Sequence, residues 1–507
     1  MNEVERGLMM KTMFLTCWMV CACFVATGAE TNAVTKATDP ILKHSDVVFM
    51  YAADEKAYKA YGATFVAWGG ASTAESVKMH HNLGIRCTGT MWCLTAGART
   101  LYENAELREA VAHDIEGKPI EVPWQFDHTY KDMKTYFGCT NHPAFRAHAR
   151  QQVEKAMAGG ADGLHVDDHL GVAQAATSAG GGLCDYCIAG FRDYLKKHAT
   201  REQLDKAGVR DLDKFDYRDL IRQYATTRDE YRKVQNKIPL MDLFRQYHLE
   251  AAADFVRELG EVGARAAGHP ILLSANAGLP DKRHAVVVKY LTHVVCEVGF
   301  NASQGTTKPE RAIEAFDMAR SLGKPLAATA SGQDWAHVKA TNAEELVRFW
   351  IALTYARGQW FMTPHPTRQW CFTKELGTHW YQAPVEAYAP LYRFIRANAK
   401  WFDAFETMDS SAIQATSGVI VTARRKGETG PIVLHAINRD YDAKSDRMRP
   451  AKNLQIRLPS GMLTGLRCDA RLLSYDSEPQ TAKMRTEGAA SIIALPELRL
   501  WTLVSIE

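Results

Sequence analysis

Eight short apolar runs, each followed by a stretch of helical character, fill residues 45 to 400, and this alternation limits the fold more than any other feature of the chain. The predicted strands are Val47–Tyr51, Thr64–Trp68, Ile85–Trp92, Gly163–Asp168, Ile271–Asn276, His293–Glu297, Pro325–Ala330 and Gln359–Thr363. Apolar runs without strict alternation suit strands covered on both faces, as in parallel sheets. Eight of them with intervening helices point to a (β/α)8 TIM barrel, whose chemistry sits at the C-terminal strand ends. A doubly wound open sheet is the alternative, but no G-x-G-x-x-G follows the first strand.

The helices carry readable punctuation. From Pro143 to Met157, Phe145, Ala149, Val153 and Met157 recur at helical spacing, with proline at the first position and Gly159-Gly160 as the stop. Two connections, 94–140 and 169–240, are too long for plain βα loops. Long loops of this kind are functional or carry structure of their own. The second holds helical patterns such as Phe215–Val234 and is expected to form a small cap. The barrel is expected over 40–404. From 405 to 507 strand-like runs follow one another with turn residues and no helices, which predicts an antiparallel β-sandwich domain.

Composition excludes several classes. The 507 residues are 46% hydrophobic and 23% charged, the balance of a globular chain. Net charge is +3, from 61 basic and 58 acidic residues, so nucleic acid is not an expected partner. Only the N-terminal segment has an apolar run long enough to matter to a membrane. Met13–Ala29 follows Lys11 and ends in Thr27-Gly28-Ala29, which reads as a signal peptide over 1–29 and predicts export to the periplasm or beyond. Val20-Cys21-Ala22-Cys23 also fits a lipobox, with Cys23 as the lipid anchor. Three of the eleven cysteines lie in this segment, and the eight that remain are too sparse for a disulfide-stapled fold.

Carboxylates at strand ends carry the chemical signal. In Gly163-Leu164-His165-Val166-Asp167-Asp168, His165 and Asp167 share one face of the strand. Acids at the C-terminal end of a barrel strand read as catalytic, and as helix caps otherwise. Glu297 ends the sixth strand and Asp334 follows the seventh, where it fits a substrate hydroxyl or a helix cap equally. Two carboxylates across a cleft are what glycoside hydrolysis needs: one protonates the leaving oxygen, the other attacks or activates water. Tyr51, Trp68, Trp92, Trp335, Trp360, Phe361 and Trp370 place flat rings near the same strand ends, and His365 follows strand eight. The expected substrate contacts are His165, Asp168, Trp68, Trp92, Asn276, Asp334, Trp335 and His365. Cys184-x-x-Cys187 has only His169 and His198 as nearby further ligands, so a disulfide or packed thiols is expected there, with no metal and no cofactor. Motifs for serine hydrolases, zincins and P-loop enzymes are missing from the sequence.

Cys139-Thr140-Asn141-His142-Pro143-Ala144-Phe145, the Gly163–Asp168 motif, Cys184-Asp185-Tyr186-Cys187 and Phe191–Leu195 together resemble a broad group of bacterial barrel glycoside hydrolases. The fourth-strand motif is similar to that of the α-amylase and α-galactosidase superfamilies. That resemblance implies a nucleophile at Asp167. The α-galactosidase-like pattern implies the acid/base at Glu297, whereas the α-amylase-like pattern would place it on strand five, where this chain has Asn276. The resemblance thus implies a retaining glycosidase acting on an oligo- or polysaccharide. A non-catalytic carbohydrate-binding barrel, an inverting hydrolase and a transglycosylase remain open alternatives, as do the sugar, the linkage and the oligomeric state.

Overall fold

The computed structural model describes residues 42–71, 73–91, 94–466 and 469–507. The signal-peptide reading of 1–29, the lipobox at Cys23 and the substrate contact expected at Trp92 lie outside the described residues. Among the described residues no helix is long and apolar enough to cross a membrane.

Eight parallel strands close into a barrel. They are β1 (Val48–Tyr51), β2 (Phe65–Ala71), β3 (Arg86–Met91), β4 (Gly163–Val166), β5 (Leu272–Ala275), β6 (Val294–Val298), β7 (Leu326–Ala330) and β8 (Trp360–Phe361). Hydrogen-bonded ladders join β1 to β5 in chain order and β6 to β8 likewise. A parallel bridge between Asn276 and Val295 closes the gap from β5 to β6, and one between Phe49 and Thr363 closes β8 onto β1. His165 pairs with Ser274 and Glu297 with Thr329, which fixes the height of the acidic residues above the barrel floor.

Helix Pro143–Met157 shows why the sequence pattern works. The His142 side chain accepts the Ala144 amide as a cap, Pro143 supplies a preset φ, and Phe145, Ala149, Val153 and Met157 are all buried. The helix approaches the sheet so closely at Gly89 that a Cβ there would lie 2.7 Å from the Ala156 carbonyl oxygen.

The two long connections differ. Residues 94–140 form an irregular layer with a short ladder between Thr95–Ala96 and Tyr136–Phe137. Residues 169–240 fold into short helices around a core of Phe191, Tyr217, Ile221 and Tyr231, to which Phe244 of the next helix adds. The Phe215–Val234 stretch is two helices, Tyr217–Arg222 and Arg228–Val234, each capped by the side chain before it. The 27-residue helix Met241–Ala267 then runs from this cap back to β5.

The C-terminal strands form a nine-stranded antiparallel sheet that folds over itself. The hinge is strand Ser477–Glu487, whose first half pairs with Asp469–Ser474 and whose second half pairs with Ala490–Leu498. The two halves enclose one core, which makes the unit a sandwich. Strand Ile432–Asn438 is buried at every residue because it is covered twice. Ile432, Leu434 and Ala436 face the sandwich core, while Val433 and Ile437 join the barrel's core. Trp501 completes that seam against Phe394 and Phe402.

Candidate active site

Strand β4 delivers two acids to the barrel mouth. His165 packs on Trp68 of β2, ring centroids 4.9 Å apart, and its Nδ1 lies 2.9 Å from Ser274 Oγ of β5, so it sits inside the ring of strands. Burial pushes its pKa down to about 3, which keeps it neutral. Two residues on, the same face carries Asp167. The backbone then turns through a left-handed conformation at Asp168, φ +41°, a region aspartate tolerates better than most residues. That turn brings the Asp168 amide onto Asp167 Oδ1 at 2.9 Å.

Asp167 is half-buried and well held. Asn276 Nδ2 donates to its Oδ1 at 3.1 Å, and the Trp68 side chain gives a further hydrogen bond. Burial and the adjacent Asp168 carboxylate push its pKa up to about 7, against the pull of those three hydrogen bonds. Asn276 is itself braced, since its carbonyl lies 2.9 Å from His169 Nδ1, and His169 packs edge-on against His284.

Glu297 is the fourth residue of β6 and half-buried at the same mouth. Burial, then the charges of Asp167 and Asp168, push its pKa up to about 8. It lines a cavity of about 680 Å³ together with Asp281, His284, Asn301, Arg311 and His337. Asp167 and Glu297 therefore share one electrostatic site, in which a negative charge on one disfavours a negative charge on the other.

Asp168 faces the long loop after β3. Trp124 Nε1 donates to its Oδ2 at 3.3 Å and Gln125 Nε2 at 3.0 Å. Neither residue stood out in the sequence, because nothing in an irregular loop 43 or 44 positions upstream marks it as a partner of β4.

Two expected substrate contacts, Trp335 and His365, are corrected by the fold, and Asp334 is held as a loop tie at the edge of the Glu297 cavity. Trp335 is fully buried behind β7 and donates its indole N–H to Thr329 Oγ1 at 3.0 Å, so it offers no face to a sugar. His365 is buried with both ring nitrogens engaged: Nδ1 accepts from the Thr367 and Arg368 amides, and Nε2 donates to the Ala52 carbonyl. Asp334 accepts the amides of Phe300 and Ala302 at 2.8 and 2.7 Å and the Ser331 hydroxyl at 2.8 Å. It ties the loop after β6 to the helix after β7. Trp68, Asn276 and Asp168 gather around Asp167, but Trp68 and His165 are buried like Trp335, so neither offers a ring face to a sugar. Of the remaining rings, Trp360 is bonded to the Lys43 carbonyl and Phe361 is core.

Two side-chain groups among the described residues have the composition of metal ligands, and neither includes the strand-end acids. They are Cys139 with Cys184 and Cys187, and His81 with Cys87 and Asp162. In the second group Asp162 already accepts the Cys87 amide and lies 2.9 Å from His81 Nε2.

No family model matches the chain. It is similar to an α-agarase of Thalassotalea agarivorans, with 23% identity over 275 residues, or 52% of this chain and 18% of that protein. The chain thus spans under a fifth of the length of the curated relative it matches. Among solved structures it is similar to an α-amylase from H. orenii, at 12% identity and a TM-score of 0.47 over 91% of this chain and 99% of that one. A cyclomaltodextrin glucanotransferase with a three-domain organisation gives 10% identity and a TM-score of 0.48, over 89% and 88%. The α-L-fucosidase isoenzyme 2 of Paenibacillus thiaminolyticus gives 9% and 0.45, over 92% and 100%.

Proposed function

We propose that this chain is an exported glycoside hydrolase that cleaves an oligo- or polysaccharide by a retaining double displacement, with Asp167 as nucleophile and Glu297 as acid/base. The observation that supports it is the unequal pair of carboxyl groups at the barrel mouth. Burial and neighbouring negative charge raise both groups, Glu297 to about 8 and Asp167 to about 7. Hydrogen bonds from Asn276, the Asp168 amide and Trp68 favour the charged form of Asp167. One site thus holds a neutral acid and a carboxylate at the same pH, as the chemistry requires. The likeness to an α-agarase supports the reaction class.

In the first step Asp167 attacks the anomeric carbon while Glu297 gives its proton to the glycosidic oxygen. The bond to the leaving group breaks, and a glycosyl ester on Asp167 forms. In the second step the Glu297 carboxylate takes a proton from water, which attacks the same carbon and frees Asp167. Trp68, Asn276 and the Asp168 amide hold the nucleophile. Export rests on the sequence of residues 1–29.

Proton NMR of the first product formed tests the stereochemistry. Retention of the anomeric configuration is expected, and an inverted product rejects the double displacement. Mass spectrometry of enzyme quenched with a slow fluorinated glycoside should find the sugar on the peptide carrying Asp167. A label on another peptide rejects Asp167 as nucleophile.

A further inference from the structure

Three cysteines from two separate loops converge beside the barrel mouth. Cys139 ends the 94–140 connection, just before helix Pro143–Met157. Cys184 is the N-cap of helix Asp185–His198, and Cys187 lies in its first turn. Cys139 Sγ is 3.5 Å from Cys184 Sγ and 3.5 Å from Cys187 Sγ, and all three sulfurs lie within 4.8 Å of one another. Cys139 and Cys187 are fully buried and Cys184 is half-buried. Sulfurs bound to one tetrahedral zinc at ~2.3 Å stand ~3.8 Å apart, close to the spacing here, whereas a disulfide needs ~2.05 Å.

The fourth side of the cluster is polar. Asn141 places its side-chain amide 3.4 Å from Cys187 Sγ and 3.5 Å from His248 Nδ1. His248, on helix Met241–Ala267, is fully buried, with its Nε2 against the backbone at Gly182. Arg146 Nη1 donates to the Thr140 carbonyl at 3.0 Å and is itself ion-paired with Glu258. An odd number of clustered thiols is also awkward for an exported chain, since one disulfide strands the third cysteine. A metal uses all three.

We propose that Cys139, Cys184 and Cys187 bind a structural zinc ion, with the Asn141 side chain beside Cys187 on its fourth side. His169 and His198, the neighbours that the C-x-x-C spacing suggested, take no part in this group. The ion pins the loop after β3 to the helix that follows the β4 loop. Trp124, which holds Asp168, packs on the same small cluster that contains Cys139 and Cys187. Zinc therefore stiffens one wall of the catalytic mouth without touching substrate.

Metal analysis of the full chain, purified without chelators, tests this directly. One zinc per chain is expected, and cobalt exchanged into the site should show thiolate charge-transfer absorption. Cys139→Ser, Cys184→Ser and Cys187→Ser should each lose the bound metal. If those variants fail to fold, stripping wild type with a chelator and restoring zinc serves instead: melting temperature should fall and then recover. Wild type that holds no zinc after incubation with it overturns the proposal. So does a peptide map of the purified protein that shows a disulfide among the three cysteines, or full metal content in the Cys139→Ser chain.

Discussion

Asp167 after β4 and Asp334 after β7 look alike in sequence, each an acid just past an apolar strand, but the chain uses them in opposite ways. Asp334 accepts two amides from the neighbouring loop and the hydroxyl of its own N-cap, Ser331. Its two oxygens are thus engaged by the loop and cap, although it lines the same cavity as Glu297. Asp167 is held by one amide and by side chains from β2 and β5, beside a second carboxylate whose charge opposes its own. An acid wrapped in backbone amides stabilises a loop. An acid held by side chains beside a like charge has an adjustable proton, which is what catalysis draws on.

The sharpest way to break this contrast is Asp167→Asn. Under the proposed mechanism kcat should fall by at least about 10⁴-fold, since the nucleophile is lost. Thermal stability should hold, because the amide keeps an acceptor for Asn276 and removes a charge that burial disfavours. A variant that keeps more than a few per cent of wild-type turnover would remove Asp167 from the chemistry.

Glu297→Gln comes next. Loss of the acid should lower kcat by about 10²- to 10⁴-fold on natural glycosides, and much less on aryl glycosides whose leaving group needs no proton. The same variant reports on stability. Unfolded, Glu297 ionises near 4.5, while in the fold it is pushed to about 8. Between those values the native state holds a proton that the unfolded state has released, so this group's contribution falls as pH rises through about 8. Glutamine carries no such penalty. The melting temperature of Glu297→Gln relative to wild type should therefore rise from about pH 5 to about pH 9. A flat difference across that range would show that Glu297 is not perturbed.

Asp334→Asn should reverse the pattern. One acceptor oxygen is replaced by a donor facing amides, which costs about 1–3 kcal/mol. Denaturant melts should register that loss, with kcat changing far less than in Asp167→Asn. Equal damage to turnover would mean that Asp334 touches substrate after all.

The barrel was legible because parallel strands covered on both faces leave uninterrupted apolar runs, such as Leu326–Ala330, with glycine or a charged residue at their exits. Asp167 and Glu297 were legible as the polar residues that end such runs. Orientation was not. Trp335 follows β7 as Trp68 ends the predicted second strand, and both are buried, yet a helix turns the first away while the second packs on His165 and bonds Asp167. Pairings across long loops were equally hidden. Cys139 meets Cys184 and Cys187 only after 45 residues of chain have folded, and local spacing offered histidines instead.

The smallest expected effect probes how Asp168 is held. Its partners, Trp124 and Gln125, come from the loop after β3, unlike the short-range amides around Asp334. Trp124→Phe keeps an aromatic ring against Phe137 while deleting the N–H to Asp168 and part of the indole. A hydrogen bond to a charged group contributes about 1.5 kcal/mol, so turnover should fall by about tenfold. Because Asp168 also shifts Asp167, the acidic limb of the kcat/KM profile should move to higher pH as the freed carboxylate opposes ionisation of its neighbour more strongly. A drop in rate with an unmoved limb would mean that Trp124 supports the wall of the mouth and not the charge balance within it. A moved limb would tie the loop after β3, and the cysteine cluster beside it, to the ionisation of Asp167.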